Sequence, residues 1–355
     1  MNILNHFNIW NAVPLDGDAS YEEIAAKVRL PVDAISRILD HAVTLRLFAH
    51  VDPTNPTRVR HTSRTAPMVR DPDSMSVIAT TLDSNGPPVL ALARALDKWA
   101  VGEEKLPTET GKLGFNLAYS GGLWGKYDTL WDLIENDGEG ERKGWRQGEM
   151  VGTMRFVKKT LDLDAVLVKA TDWAEPAGAH IVDVGGSAGH DDIVLANAFP
   201  DVKITVQDLP KCAPDFETTV PQALRDRVSF QPYDFFTPQP VSADFYLFKY
   251  IFYDWPEAYA RRIVSNLIPA LKPGARIVVL EYVRTQLPPG LVLPNGIKRG
   301  MTSVDVRMMG MFGHSERTVE DVVNLWTGTD ERFEVVKADG TSRPPVLLLE
   351  LKWRG

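Results

Sequence analysis

Two hydrophobic textures divide this chain. In the first part apolar residues recur at helical spacing; from about residue 180 they gather in short runs. The segment "SYEEIAAKV" opens with Ser20 and places Glu23 three residues later, a capping box that predicts a helix start. In "LPVDAISRILDHAVTLRLFAHV", Ile35, Ile38, Leu39, Ala42 and Val43 fall on one helical face. Turn residues then separate two short extended pieces in "VDPTNPTRVRHTS". Helix, turn, helix and β-wing form a winged-helix pattern. Residues 76–175 are predicted mostly helical, with a loop near "NDGEGERKG".

Beyond that, strand-like runs alternate with helical stretches: "AHIVDVGG", "VKITVQDLP", "RVSFQPYDFF", "ADFYLFKYIF", "ARIVVLEYV", "RFEVVKAD" and "PVLLLELKW". This alternation predicts a parallel sheet with helices on both faces. The last two runs lie close together, so the final strand is expected to pair antiparallel as a hairpin. A linker is expected near "DWAEPAGAH".

Composition narrows the partners. The net charge of −8 over 355 residues weighs against nucleic acid or an anionic membrane, which need a positive face. The second helix of the winged-helix pattern sets only Arg37 and Arg46 against Asp33 and Asp40, so packing or dimerisation suits it better than base reading. A single cysteine, Cys212, allows no internal disulfide and suits a reducing, cytoplasmic setting. The start, "MNILNHFNIWNAV", lacks the pattern of a signal peptide, and no apolar run is long enough to span a membrane.

The first strand of the second part ends in "DVGGSAGH". Gly185, Gly186 and Gly189 allow a sharp turn and close approach of a ligand, and the next helix, from His190, points its N-terminus at the same place. The spacing is not G-x-G-x-x-G, which lowers the odds of a nicotinamide or flavin. Asp183 would repel a pyrophosphate but suits a cationic ligand. Asp208 in "VQDLP" lies nineteen residues after Gly189, a spacing at which a carboxylate can take both hydroxyls of a ribose. In "PYDFF", Asp234 and Phe235 could pair with an adenine amine and stack on its ring. Asp208 and Asp234 could instead be helix caps or turn formers. Three acidic strand ends in order favour the ligand reading.

With "DVGGSAGH", "VQDLP", "YDFFTPQP", "YDWPEAYARRIVSNLIPALKPGARIVVLEYV" and "SERT", the chain resembles the fungal and plant small-molecule O-methyltransferases over nearly its whole length. The resemblance implies an α/β fold: a Rossmann-like class I methyltransferase domain with a seven-stranded, mostly parallel sheet, behind an N-terminal winged-helix dimerisation domain. The expected boundaries are 1–70 for the winged helix, 71–175 for a helical linker with substrate-pocket helices, and 176–355 for the S-adenosylmethionine-binding domain. It implies a homodimer, S-adenosylmethionine as cofactor, S-adenosylhomocysteine as its product form, and no metal. Asp208, with Leu209 beside it, would bind the ribose; Asp234 and Phe235 would hold the adenine. Gly185, flanked by Asp183, Gly186 and Gly189, would lie under the methionine part, and Lys249 would line the same site. Two departures stand out. Ser187 replaces a third consecutive glycine, and the chain starts near the helix that follows the family's interlocking N-terminal helices, so a shortened N-terminus or altered dimer contacts are expected.

A third departure concerns chemistry. In that family a His-Asp dipeptide precedes the Trp after the fourth strand. The histidine takes the acceptor's proton and two glutamates flank and orient it. Glu281, Glu316, Asp254 and Trp255 match, but the histidine position holds Tyr253. A histidine of pKa ~6.5 is largely neutral at pH 7, whereas a phenol of pKa ~10 keeps its proton. Forming the phenolate at pH 7 costs roughly 4 kcal/mol, and nearby glutamates raise that cost. Tyr253 is thus a poor base and a reasonable hydrogen-bond donor.

Three readings follow. Methyl transfer could proceed to an acceptor that needs no strong base: a carboxylate, an acidic phenol or enol, or an amine. Methyl transfer could instead be lost in favour of dehydration or pericyclic ring formation, as in some fungal members, with Tyr253 and Lys249 polarising a carbonyl beside a fixed sulfonium charge. Or Tyr253 only packs, and His314 is the base. Methyl transfer leads, because the cofactor positions are all present. The resemblance puts the acceptor pocket between the domains, with Met308, Met309, Met311 and Phe312 as a pliable apolar wall and aromatic residues from "LAYSGGLWGKYDTLW". That lining suits a polyketide, a pyridone or an aromatic metabolite of secondary metabolism. A transcriptional regulator would need a basic face that is absent; a catalytically silent S-adenosylmethionine sensor would need no acceptor.

Overall fold

The computed structural model describes residues 2–107, 109, 111–122, 124–284, 292, 294–313 and 315–355. The chain forms two compact units, Met1–Lys159 and Thr160–Gly355.

In the first unit, β1 (Ala19–Ser20) leads into α1 (Tyr21–Val28), α2 (Val32–Thr44), β2 (Phe48–His50) and β3 (Arg58–His61). The strands pair antiparallel in the order β1-β3-β2, which is the wing. The capping box forms: the Glu23 N–H donates to Ser20 Oγ at 3.2 Å and the Ser20 N–H to Glu23 Oε2 at 2.7 Å. Ile24, Ile35 and Leu39 project from the two helices into a core with Trp10 and Phe48, all essentially unexposed. The remainder of the unit is largely helical, including α3 (Gly86–Trp99) and the helix Gly114–Tyr119.

The second unit is built on seven strands: β4 (His180–Val184), β5 (Lys203–Asp208), β6 (Val228–Pro232), β7 (Phe245–Lys249), β8 (Arg276–Tyr282), β9 (Phe333–Asp339) and β10 (Val346–Trp353). Their order is β9-β10-β8-β7-β4-β5-β6. Strands β4 to β8 run parallel. The hairpin expected at the end of the chain inserts β10 between β8 and β9, antiparallel to both. Burial follows position in the sheet. Central β7 reads Phe245-Tyr246-Leu247-Phe248, all buried, as a strand covered on both faces requires. Edge strand β9 is mostly exposed and carries a bulge between Val335 and Lys337.

Three helices of this unit matter below: α4 (His190–Ala198) after the glycine loop, α5 (Glu257–Leu267), and α6 (Asn295–Phe312) with α7 (Val319–Thr327) following it. Strand order reverses between β4 and β7. In open α/β sheets the carboxyl ends of the strands at such a reversal form the ligand crevice. The loops after β4, β5, β6 and β7 therefore converge there. Beneath them Trp326, fully buried on α7, meets Phe248, Phe252 and Phe333 edge-on at ring separations of 5.5, 5.4 and 5.2 Å. Trp326→Ala should lower the stability of this unit by about 3–5 kcal/mol, the usual cost of emptying a buried aromatic site, read from the urea midpoint.

Candidate active site

The loop after β4 is shaped for close approach. Gly185 has φ +81°, and a Cβ there would lie 2.4 Å from Ile251 Cδ1 and 4.0 Å from Phe235 Cε1. A Cβ on Gly186 would meet Asp183 Oδ2 at 2.5 Å, and one on Gly189 (φ +78°) would meet Val220 Cγ2 at 2.9 Å. Gly185 and Gly186 both donate their N–H to the Gln207 carbonyl, at 2.7 and 3.1 Å, which folds the loop over the end of β5. Ser187 takes φ +51°, a left-handed conformation that costs a residue with a Cβ roughly 1–2 kcal/mol. Its N–H donates to Asp208 Oδ2 at 2.9 Å, so the departure from glycine is accommodated by a bond to the next strand end.

Asp208 also accepts from the Leu209 N–H at 2.7 Å and from Cys212 Sγ at 3.4 Å. Burial pushes the Cys212 thiol up to about 12, so it stays a donor. A carboxylate offers roughly four lone-pair sites, which leaves Asp208 capacity for a ligand hydroxyl. Leu209 is exposed beside it. Asp234 is exposed and accepts from the Phe236 N–H at 2.9 Å through Oδ1. Phe235 stands edge-on to Trp255 with ring centroids 5.9 Å apart. Gly185, Phe235 and Ile251 thus border one space, beside an acid two strands along. An apolar ring wall, a glycine floor and carboxylates with acceptor capacity left fit a nucleoside, so the residues present match S-adenosylmethionine.

Asp183, expected to suit a cationic ligand, is only 3% exposed. It lies buried under Gly186 beside the fully buried Asp192 on α4. Burial and the neighbouring carboxyl raise Asp183 well above the ordinary carboxylate range, and burial pushes Asp192 up to about 7. Like charges in a dry site retain a proton between them, so Asp183 carries less negative charge than its place in the motif suggests. Lys249, expected to line the same site, has its Nζ paired with Asp191 Oδ2 at 2.5 Å, both largely buried.

At the end of β7 a single 3₁₀ turn, Phe252–Asp254, carries Tyr253. Glu281, buried on β8, accepts the N–H groups of Phe252 and Tyr253 at 2.9 and 3.2 Å through Oε2, and that of Tyr282 at 3.0 Å through Oε1. It therefore holds the backbone of residue 253, not its side chain. Burial still pushes its carboxyl up to about 8. Glu316 is the group at the phenol: Tyr253 Oη donates to Glu316 Oε1 at 3.3 Å. Burial, with Asp305 adding to it, lifts Glu316 to about 7, against the pull of Tyr253, Arg284 and Arg307. Burial and Glu316 raise the Tyr253 phenol far above its ordinary value, so it stays protonated. Asp254, in the same turn, is pushed up to about 7 by burial.

Met308 and Met311 are buried on α6, with Met309 and Phe312 half-buried. His314 lies outside the described residues. In the first unit Tyr119 is a core residue whose hydroxyl donates to the carbonyls of Asp83 and Ser84, while Trp124 and Trp131 are exposed. Sequence reasoning missed Asp191, Asp192, Gln207 and Arg317. The two aspartates opening α4 were legible only as acids at a helix N-terminus; nothing local marked the others.

Residues 155–330 match the O-methyltransferase domain family. The O-methyltransferase lcsG of Purpureocillium lilacinum is 43% identical across 100% of this chain and 76% of its own length. The chain belongs to the O-methyltransferase family. It is an enzyme of that family, whose cofactor is S-adenosylmethionine. Its fold is shared with the mitomycin 7-O-methyltransferase MmcR (TM-score 0.76, 21% identity, 99% of this chain and 92% of the other). It is also shared with a protein described as a pericyclic reaction enzyme (TM-score 0.72, 20% identity, 99% and 85%).

Two outcomes follow. Asp208→Ala should weaken S-adenosylmethionine binding about tenfold or more in a calorimetric titration, since ribose hydroxyls would lose a charged acceptor. Asp192 and Glu281 keep protons in the folded chain that their unfolded counterparts release near pH ~4. The folded state then binds more protons, so stability should fall as pH rises from about 4 through 8, and Asp192→Asn should flatten that slope in urea titrations at several pH values.

Proposed function

We propose that this enzyme moves the methyl group of S-adenosylmethionine to an oxygen of an acidic, largely apolar small molecule of secondary metabolism, a polyketide, pyridone or aromatic enol or phenol. The observation that carries this reading is the hydrogen bond from Tyr253 Oη to Glu316, a carboxyl lifted to about 7. Tyr253 alone cannot act as base, because its phenol stays protonated. A relay removes the difficulty. The acceptor hydroxyl donates to Tyr253 Oη while Tyr253 passes its own proton to ionised Glu316, so the phenol is neutral before and after. Glu316 matches the acidity that general base catalysis favours near neutral pH. Glu281 keeps the turn in register by holding its N–H groups. The bound cofactor would supply an electrophilic methyl group on a sulfonium. Buried Met308 and Met311 support an apolar acceptor.

A second reading keeps the cofactor but transfers no methyl, with Tyr253 donating to a substrate carbonyl in a dehydration or ring-forming step. The protonated phenol favours it. The pairing of Lys249 with Asp191 weighs against it, because the ammonium is then engaged elsewhere. The family resemblance also supports a homodimer through the first unit, where Ile3 and Leu45 remain exposed beside Ile38 and Leu47.

Incubating the protein with candidate acceptors and S-adenosylmethionine should release one S-adenosylhomocysteine per product. Product of unchanged mass, or lighter by one water, would overturn the methyl-transfer reading. The rate should be low in acid and rise through about pH 7 as Glu316 loses its proton. Glu316→Gln and Tyr253→Phe should each lower kcat by roughly 10²–10⁴ and remove that rise; a wild-type pH profile in Glu316→Gln would show that the carboxylate is not the base.

A further inference from the structure

The turn that presents Tyr253 is gripped from two sides, and only one grip comes from Glu281. The other comes from Arg317. Its Nη1 donates to the Phe252 carbonyl at 2.5 Å and its Nη2 to the Trp255 carbonyl at 2.7 Å. Its Nε lies 3.6 Å from Glu257 Oε2 in the first turn of α5, and its side chain is only 11% exposed. The planar fork thus spans both ends of the 3₁₀ turn, which a point cation on a flexible stem cannot do.

Arg317 also follows Glu316 directly. Side chains of successive residues in an extended segment point apart. Here residue 316 reaches the hydroxyl of Tyr253 and residue 317 reaches the carbonyls that flank it. The segment itself is pinned. The Arg284 N–H donates to the Arg317 carbonyl at 2.8 Å. Thr318 caps α7: its N–H and hydroxyl both donate to Asp321 Oδ2 at 2.7 Å. The Glu316 N–H donates to Asp305 Oδ1 at 3.0 Å.

We infer that Arg317 is a positioning residue that locks Tyr253 and Glu316 into one rigid pair, setting the distance between phenol and carboxylate. This inference rests on the proton relay proposed above for its effect on turnover. Its structural content stands apart: without the fork, the Phe252 and Trp255 carbonyls lose donors and the turn gains freedom about the two Glu281 contacts.

The test is Arg317→Lys in the full chain, which keeps the charge and the approach to Glu257 but loses the fork. With acceptor and S-adenosylmethionine, kcat should fall roughly 10- to 100-fold, the scale of a displaced catalytic group. Cofactor affinity by calorimetry should stay unchanged. In a Tyr253→Phe background the same substitution should cost nothing further, because coupled residues are not additive. Equal losses in both backgrounds would overturn the inference. A second readout needs no turnover: 3-fluorotyrosine placed at position 253 should give one narrow ¹⁹F resonance in the parent and a broadened or split one in Arg317→Lys. An unchanged narrow line would sink the proposal. Should Tyr253→Phe prove fully active, the relay fails, and the ¹⁹F line still decides whether Arg317 positions the ring. Arg317→Gln, an amide able to reach one carbonyl, serves the same comparison if the lysine variant is unstable.

Discussion

A backbone in a dry interior must satisfy its N–H groups, and at the end of β7 the sheet no longer does so. Glu281 answers that constraint. Its two oxygens take three N–H groups, two from the turn that carries Tyr253 and one from its own strand end. The backbone that presents Tyr253 is held from this side by that carboxyl, and from the other by Arg317. An apolar residue at 281 would leave the turn's donors unmet, each a penalty of about 1–3 kcal/mol.

The same economy of polar groups explains why this end of the sheet is rich in carboxyls that sit above their ordinary acidity. Asp183 and Asp192 share a dry space beneath the glycine loop, and Glu281, Asp254 and Glu316 surround the Tyr253 turn. Desolvation is the first cause in each case. Groups so placed hold protons near neutrality, the property a relay requires. In the relay we propose, the tyrosine does not replace a histidine as acceptor of a proton; it conducts one to an acid tuned nearby.

Much of this was readable along the chain because the determinants are local. The capping box at Ser20 and Glu23, the apolar face of Ile35 and Leu39, the continuous run in β7 and the close spacing of β9 and β10 depend on neighbours within a few residues. Gly185 and Gly189 announced positive φ angles that only glycine adopts freely, and both have them. Asp208 and Asp234 stand at strand ends because strand and loop alternate there. A motif is legible when its chemistry and its geometry lie in the same short stretch.

What the chain by itself determined is the succession of elements, the glycine turn and the presence of a phenol where a base would stand, since each is written in residue type and spacing. Tertiary structure alone decided what those groups touch. It buried Asp183 beside Asp192, engaged Lys249 with Asp191, assigned Glu281 to backbone and Glu316 to the phenol, and laid the Arg317 fork across a turn more than sixty positions away in sequence. The reason is physical: acidity and hydrogen-bond partnership depend on burial and on groups distant along the chain, and neither burial nor distance in space is a property of any single stretch of residues.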